Sequence, residues 1–251
     1  MTKALTEIGP EKFRAIVSDN TGNTRLARSR ITSRFEWMLN LVDAPHHIQL
    51  FMKDIGKLSY FQTTIECVRS TVKFFRKSSY ANARLKAKRQ EMKIKRGLTS
   101  FGNTRFSTVY TSGNSLRSCM PAIKALCNSK VVKLKAFNDN FIDGFASTKF
   151  STQLDELLAI LGPAAKATKC LESTHSTVSD VYVFWLAMLA TIHDVITDPN
   201  IPMPDHVRED IRRITNFRWK QMMEPEREKE KKGQASKEVY LTGFVLDPRK
   251  S

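Results

Sequence analysis

The sequence predicts a mainly α protein that opens with a small, partial β-α-β piece, and three observations carry that prediction. Strand-like apolar runs largely stop after residue 43. From Ile48 onward the apolar residues recur at helical spacing. Gly, Pro, Ser and Asn breaks then divide the rest into stretches of helix length. Two regions follow: residues 1–43 as a partial β-α-β core, and residues 44–251 as a large all-α region with a flexible charged loop at 224–237.

Phe13 to Ser18 reads as a short buried strand that ends at the turn-favouring cluster Asp19-Asn-Thr-Gly-Asn23. Thr24 to Arg34 has helix-compatible spacing, and Trp37 to Val42 reads as a second strand closing on Asp43. Beyond Pro45, the residues Ile48, Leu50, Phe51, Met52, Ile55 and Leu58 begin the helical pattern. Further helices are expected over Phe61–Lys77, Asn82–Arg96, Phe106–Cys127, Gln153–Leu171, Val178–Ile196 and Val207–Met222. Gly162-Pro163 falls inside one of them, where a missing N–H and a clash with the preceding turn predict a kink or a split. From Glu224 to Lys237 nearly every residue is charged or polar with no apolar period, and order is expected to resume at Val239–Leu246.

A chain of 251 residues with 41% hydrophobic content can bury a sizeable core, which excludes a disordered tail. Its 41 Lys and Arg against 25 Asp and Glu give a formal charge of +16, favouring polyanions such as nucleic acid or an anionic membrane surface. The four cysteines, Cys67, Cys119, Cys127 and Cys170, lack zinc-type spacing, and no signal-peptide core opens the chain, so a reduced, intracellular setting is expected. The longest apolar run, Val181 to Ile192, is shorter than the ~20 residues a membrane span requires, so no membrane partner is expected.

Few residues point to chemistry. Asp19, placed just beyond a strand, has the setting of a carboxylate open to a divalent cation, or of a plain turn residue. His46 and His47 follow Asp43-Ala44-Pro45, as a metal site or a hydrogen-bonded corner would, but no third histidine stands at zinc-ligand spacing. Glu156 and Glu172 read as members of charged helix faces or caps. The cluster of Tyr182, Phe184, Trp185 and Met188 reads as core packing. Between Lys73 and Arg96 ten cations, Lys73, Arg76, Lys77, Arg84, Lys86, Lys88, Arg89, Lys93, Lys95 and Arg96, meet the single acid Glu91. Such density suits electrostatic contact with a phosphate backbone without base reading, as well as plain solubility.

Asp19 and Asn23 in Val17-Ser-Asp-Asn-Thr-Gly-Asn23, followed by Asp43 and His46 in Asp43-Ala-Pro-His46, resemble paired landmarks of hAT-superfamily transposases with a ribonuclease-H-like core. Ile48–Leu58, Thr104-Arg105-Phe106, Cys170-Leu-Glu-Ser-Thr-His-Ser-Thr177, Phe184-Trp185 and Leu246-Asp-Pro-Arg249 are similar to further segments of that group, so the resemblance runs nearly end to end. It implies that Asp19 is the second of three metal-binding acids holding magnesium or manganese for DNA strand transfer. It also implies a nuclear protein. The family's first aspartate lies upstream of the Asp19-type loop, its last glutamate lies beyond the Leu-Asp-Pro-Arg segment, and its zinc-finger module precedes both. The resemblance therefore implies a fragment truncated at both ends, without a cofactor as it stands and catalytically inactive, that contacts DNA non-specifically. The alternatives are a metal-dependent transposase or nuclease completed by another chain, and a helical protein-binding scaffold. Oligomeric state is left open.

Overall fold

Helical periodicity is realised over most of the chain: the computed structural model is 72% helix, with ten helices among the described residues. The structure describes residues 2–102, 106–135, 137–223 and 238–249. The expected flexible loop at 224–237, and Thr104-Arg105, lie outside them.

The order is α1 (Thr2–Ile8), β1 (Ala15–Ser18), α2 (Gly22–Arg34), β2 (Leu39–Val42), α3 (Ala44–Ile55), α4 (Ser59–Lys77), α5 (Ser79–Glu91), α6 (Ser107–Asn128), α7 (Phe145–Leu171), α8 (Val178–Thr197), α9 (Asp205–Met223) and α10 (Glu238–Val245). One compact unit gathers Met1–Ile48, Ala167–Leu189 and Thr215–Ser251, and the other gathers Gln49–Lys166 and Ala190–Ile214. Neither is a single stretch of chain.

In the first unit β1 and β2 pair in parallel, with Ala15 opposite Leu39 and Ser18 opposite Val42. A parallel pair needs a crossover, and α2 supplies it. Leu5, Ile31, Phe35 and Met38 form a small core against which Phe13 and Ile16 pack. The expectation of a buried first strand is corrected: Val17 is 55% exposed. Parallel strands are ordinarily covered on both faces, but Ile16 and Val17 point to opposite faces of β1, and of the two only Ile16 packs against that core. The strand is also shorter than expected, because Phe13 closes the turn Pro10–Lys12, its amide donating to the Pro10 carbonyl at 3.1 Å.

The second unit has the larger core. In α4 the residues Phe61, Ile65, Val68, Val72 and Phe75, spaced by three and four, are all buried. Cys67, Val68 and Phe75 of α4 and the buried stripe of α6 (Leu116, Cys119, Ile123, Leu126) share one cluster with Phe141, Phe150 and Leu154. Each such side chain contributes about 1.5–3 kcal/mol on leaving water. Ser78 starts α5 by accepting the Ala81 amide at 3.1 Å.

Two helix expectations change. No split occurs at Gly162-Pro163, and α7 is continuous through Pro163. Leu157, Ile160, Leu161 and Ala164 are buried on both sides of the proline, so packing holds the helix across the lost hydrogen bond. A side chain at 162 would press on the Tyr110 ring at 3.3 Å, so glycine permits the approach. Helix α5 stops at Glu91 instead of continuing to Arg96. Ile94, Leu98 and Phe101 then pack against the core as non-helical chain, which the Thr99 amide and the Arg96 carbonyl fasten to Ser115 Oγ and Cys119 Sγ of α6.

The apolar stretch around Val181–Ile192 also proves longer than expected, because all of α8, 20 residues at a mean hydropathy of 1.3, is long and apolar enough to cross a membrane. Its Trp185, Met188, Ile192 and Ile196 form a buried stripe at helical spacing, while only 22% of its 18-residue apolar window is buried. Tyr182 packs on Phe244 and Trp219 at ring distances of 5.3 and 6.0 Å.

Candidate functional site

Two places carry the residues singled out from sequence. At the first, the register that pairs Ser18 with Val42 sets Asp19 and Asp43 side by side at the C-terminal ends of the two strands. The Asp43 amide donates to the Ser18 carbonyl at 2.9 Å, extending the ladder by one step. Both acids are half-buried. Asn23 is exposed in the first turn of α2, and His46 is half-buried in the first turn of α3. The structure thus brings the two aspartates to one edge, and shows no hydrogen bond from Asn23 or His46 to either.

Arg28 of α2, which sequence reading passed over, organises this edge. It is 1% exposed. Its Nε donates to Asn40 Oδ1 at 2.8 Å, one terminal nitrogen to the Ser18 carbonyl at 3.0 Å and the other to Asn20 Oδ1 at 3.2 Å. Further hydrogen bonds reach Ser18 Oγ and the Asp19 carbonyl. Burial lowers the guanidinium pKa, and the Asp19 carboxylate pulls it back up. Thr24 Oγ1 also donates to the Asp19 carbonyl, at 2.8 Å. On the other side Tyr240 of α10, itself buried, donates its hydroxyl to the Val42 carbonyl at 3.1 Å. Burial pushes the Tyr240 phenol up to about 12.

A guanidinium already sits against the Asp19 loop, and among the described residues no three His, Cys, Asp or Glu side chains gather as metal ligands. Glu156, expected on a charged face, is buried and accepts the Tyr60 hydroxyl at 2.9 Å. Burial raises its pKa, and the hydrogen bond and nearby Arg208 oppose the shift. No protein-family model matches the chain, and comparison with curated proteins and with solved structures gives no match either.

Two segments that the sequence set apart do meet. Arg249 holds Asp247 through two of its guanidinium nitrogens, Nε at 2.9 Å and Nη2 at 2.7 Å, and Nη2 also reaches Thr177 Oγ1 at 3.3 Å. Asp247 is accordingly held well below the usual carboxylate range by the Arg249 hydrogen bonds.

The second place is the basic stretch. Lys73, Arg76 and Lys77 end α4, Arg84, Lys86, Lys88 and Arg89 lie on α5, and Lys93, Lys95 and Arg96 follow it. Lys88 pairs with Glu91 at 2.8 Å, and Arg89 turns inward to donate to the Lys95 carbonyl at 2.9 Å. The other eight are exposed. Tyr80, also exposed, stacks beneath the Arg84 guanidinium at 5.1 Å.

Of the residues sequence reasoning missed, Asn40 alone left a local signal. A polar residue inside the apolar run Trp37–Val42 needs a buried partner. Arg28 looked like any helical cation, and Tyr240 stands 198 positions from its acceptor.

Proposed function

We propose that this chain derives from an hAT-type transposase and holds duplex DNA non-specifically through the basic stretch 73–96, without cleaving it. The observation that carries the DNA part is the eight exposed cations, Lys73, Arg76, Lys77, Arg84, Lys86, Lys93, Lys95 and Arg96, in a chain of net charge +16. Their charge answers phosphates electrostatically, which requires no reading of base edges. The β1-α2-β2 unit with an aspartate after each strand supports derivation from a ribonuclease-H-like core. The Arg28 guanidinium lodged at that edge supports the absence of strand transfer. A nuclear setting follows from the same derivation.

Fluorescence anisotropy with a labelled duplex tests the binding. If four of the eight cations meet phosphates, affinity should fall about 150-fold between 50 and 200 mM salt. No binding at low salt refutes the DNA part. Cleavage of DNA in manganese that disappears in Asp19→Ala overturns the inactivity, and pull-downs that survive nuclease treatment favour a protein partner instead.

A further inference from the structure

We infer that the turn closing α5 is a seat for one phosphate group, formed by Lys86, Lys93 and Lys95 with Arg89 as its positioning residue. Taking that phosphate from the DNA backbone rests on the reading above.

The turn is built by three backbone bonds. The Met92 amide donates to the Lys88 carbonyl at 3.0 Å, Lys93 to Gln90 at 3.1 Å, and Ile94 to Arg89 at 2.8 Å. This closure needs a left-handed residue, and Lys93 supplies it at φ 57°. Glycine is the ordinary occupant of such a position, because a Cβ there crowds the following carbonyl. A lysine stands here instead, as Lys130 does at φ 58° in the turn closing α6. Two anchors hold the strained turn: Ile94 packs against the core of the unit, and Arg89 reaches across to the carbonyls of Ile94 and Lys95, at 3.4 and 2.9 Å.

The result is a cleft of about 510 Å³ lined by Lys86, Arg89, Gln90, Lys93, Ile94 and Lys95. Four of the six are cations, and none of the described residues lining it is acidic. The Arg89 Nε is buried and has no hydrogen-bond partner. Cations in the last turn of a helix commonly answer the exposed carbonyls there, which accounts for Lys88 and Arg89. It does not account for Lys93 and Lys95, which lie beyond the helix and line the cleft. A concave seat with several amine donors and no carboxylate suits a compact, multiply charged oxyanion.

The test compares Lys93→Gly with Lys73→Gln, an exposed cation outside the cleft. Lys93→Gly relieves the left-handed strain while removing one cation. The melting temperature should rise by about 2–4 °C, while the slope of duplex affinity against salt falls by about one charge. Titration with inorganic phosphate, read by amide NMR shifts, should perturb residues 86–95 in the parent and leave them unmoved in Lys93→Gly. Lys73→Gln should keep those shifts. Phosphate shifts that are absent, scattered, or unchanged in Lys93→Gly overturn the seat, whatever DNA does. Localised phosphate shifts in a protein that binds no duplex keep the seat, assign it to a free phosphate-bearing ligand, and overturn the DNA reading alone.

Discussion

Replacing Arg28 by methionine should loosen the strand pair more than any other single change at that edge. Methionine keeps much of the buried stem but removes every guanidinium donor. The largest loss is at Asn40, 4% exposed, whose Oδ1 gives up its 2.8 Å bond to Nε. Losing a charged donor to a buried acceptor costs about 1–3 kcal/mol. The Ser18 and Asp19 carbonyls are half-buried and can turn to water, so each adds about 0.5–1.5 kcal/mol. The total comes to about 2–6 kcal/mol, and the roughly 3–5 kcal/mol found when one partner leaves a buried charged network sits at its centre. Hydrogen exchange reads this locally. The Asp43 amide, bonded to Ser18, and the Leu39 amide, bonded to Arg14, should exchange between about a hundredfold and several thousandfold faster. Amides of the buried α6 stripe provide the internal reference. Arg28→Lys should fall between the two, since one ammonium cannot reproduce a planar fork. Exchange at Asp43 and Leu39 within threefold of the parent in Arg28→Met would refute the clamp.

Stability should hold up to about pH 9 and then fall. Burial lifts the thiols of Cys67 and Cys127 from 9.0 to about 11 and the Tyr240 phenol from 10.0 to about 12. Folded pKa values above the unfolded ones favour the neutral forms, so the stability they carry is complete below pH 9 and is lost as pH climbs through 11 and 12. A urea midpoint unchanged from pH 8 to pH 11 would contradict this. At Glu156 the raised carboxyl has the same sign in an acidic window: its stability is complete below the unfolded value of 4.5 and is lost as pH rises through the folded value. Parent protein should therefore gain on Glu156→Gln as pH falls from 7 toward 4, and a stability difference constant across that range would refute the buried acid.

Much of the fold was legible because its helices bury regular stripes. Phe61 through Phe75 and Trp185 through Ile196 repeat every three or four residues, and the observed α4, α8 and α9 begin and end within two residues of the expected bounds. Helix α7 begins eight residues before Gln153, since Ser147, Thr148, Ser151 and Thr152 look like a turn cluster until packing selects a helix. The end of α5 was hidden for a different reason. The left-handed stop is carried by Lys93, and no glycine or proline marks it before Gly97. At the strand edge, Asp19 and Asp43 could be placed after strands from sequence. Only tertiary structure supplies Arg28 and Tyr240, and they change what the edge can do.

Net charge overstates the cations open to a polyanion, because several arginines are committed inside the fold. Arg28 holds the carbonyls of Ser18 and Asp19, and Arg89 those of Ile94 and Lys95. Arg208 ties the loop between α8 and α9 by donating to the carbonyls of Ile196, Asp198, Ile201 and Met203. A planar fork with several fixed donors suits backbone carbonyls, whereas an ammonium on a flexible stem suits solvent and phosphate. The two kinds of cation therefore separate by consequence. Substituting Arg28 or Arg208 removes partners from backbone carbonyls and acts first on folding. Substituting Lys73, Lys77, Lys86 or Lys95, all exposed, leaves the backbone bonds in place and acts first on the salt dependence of binding.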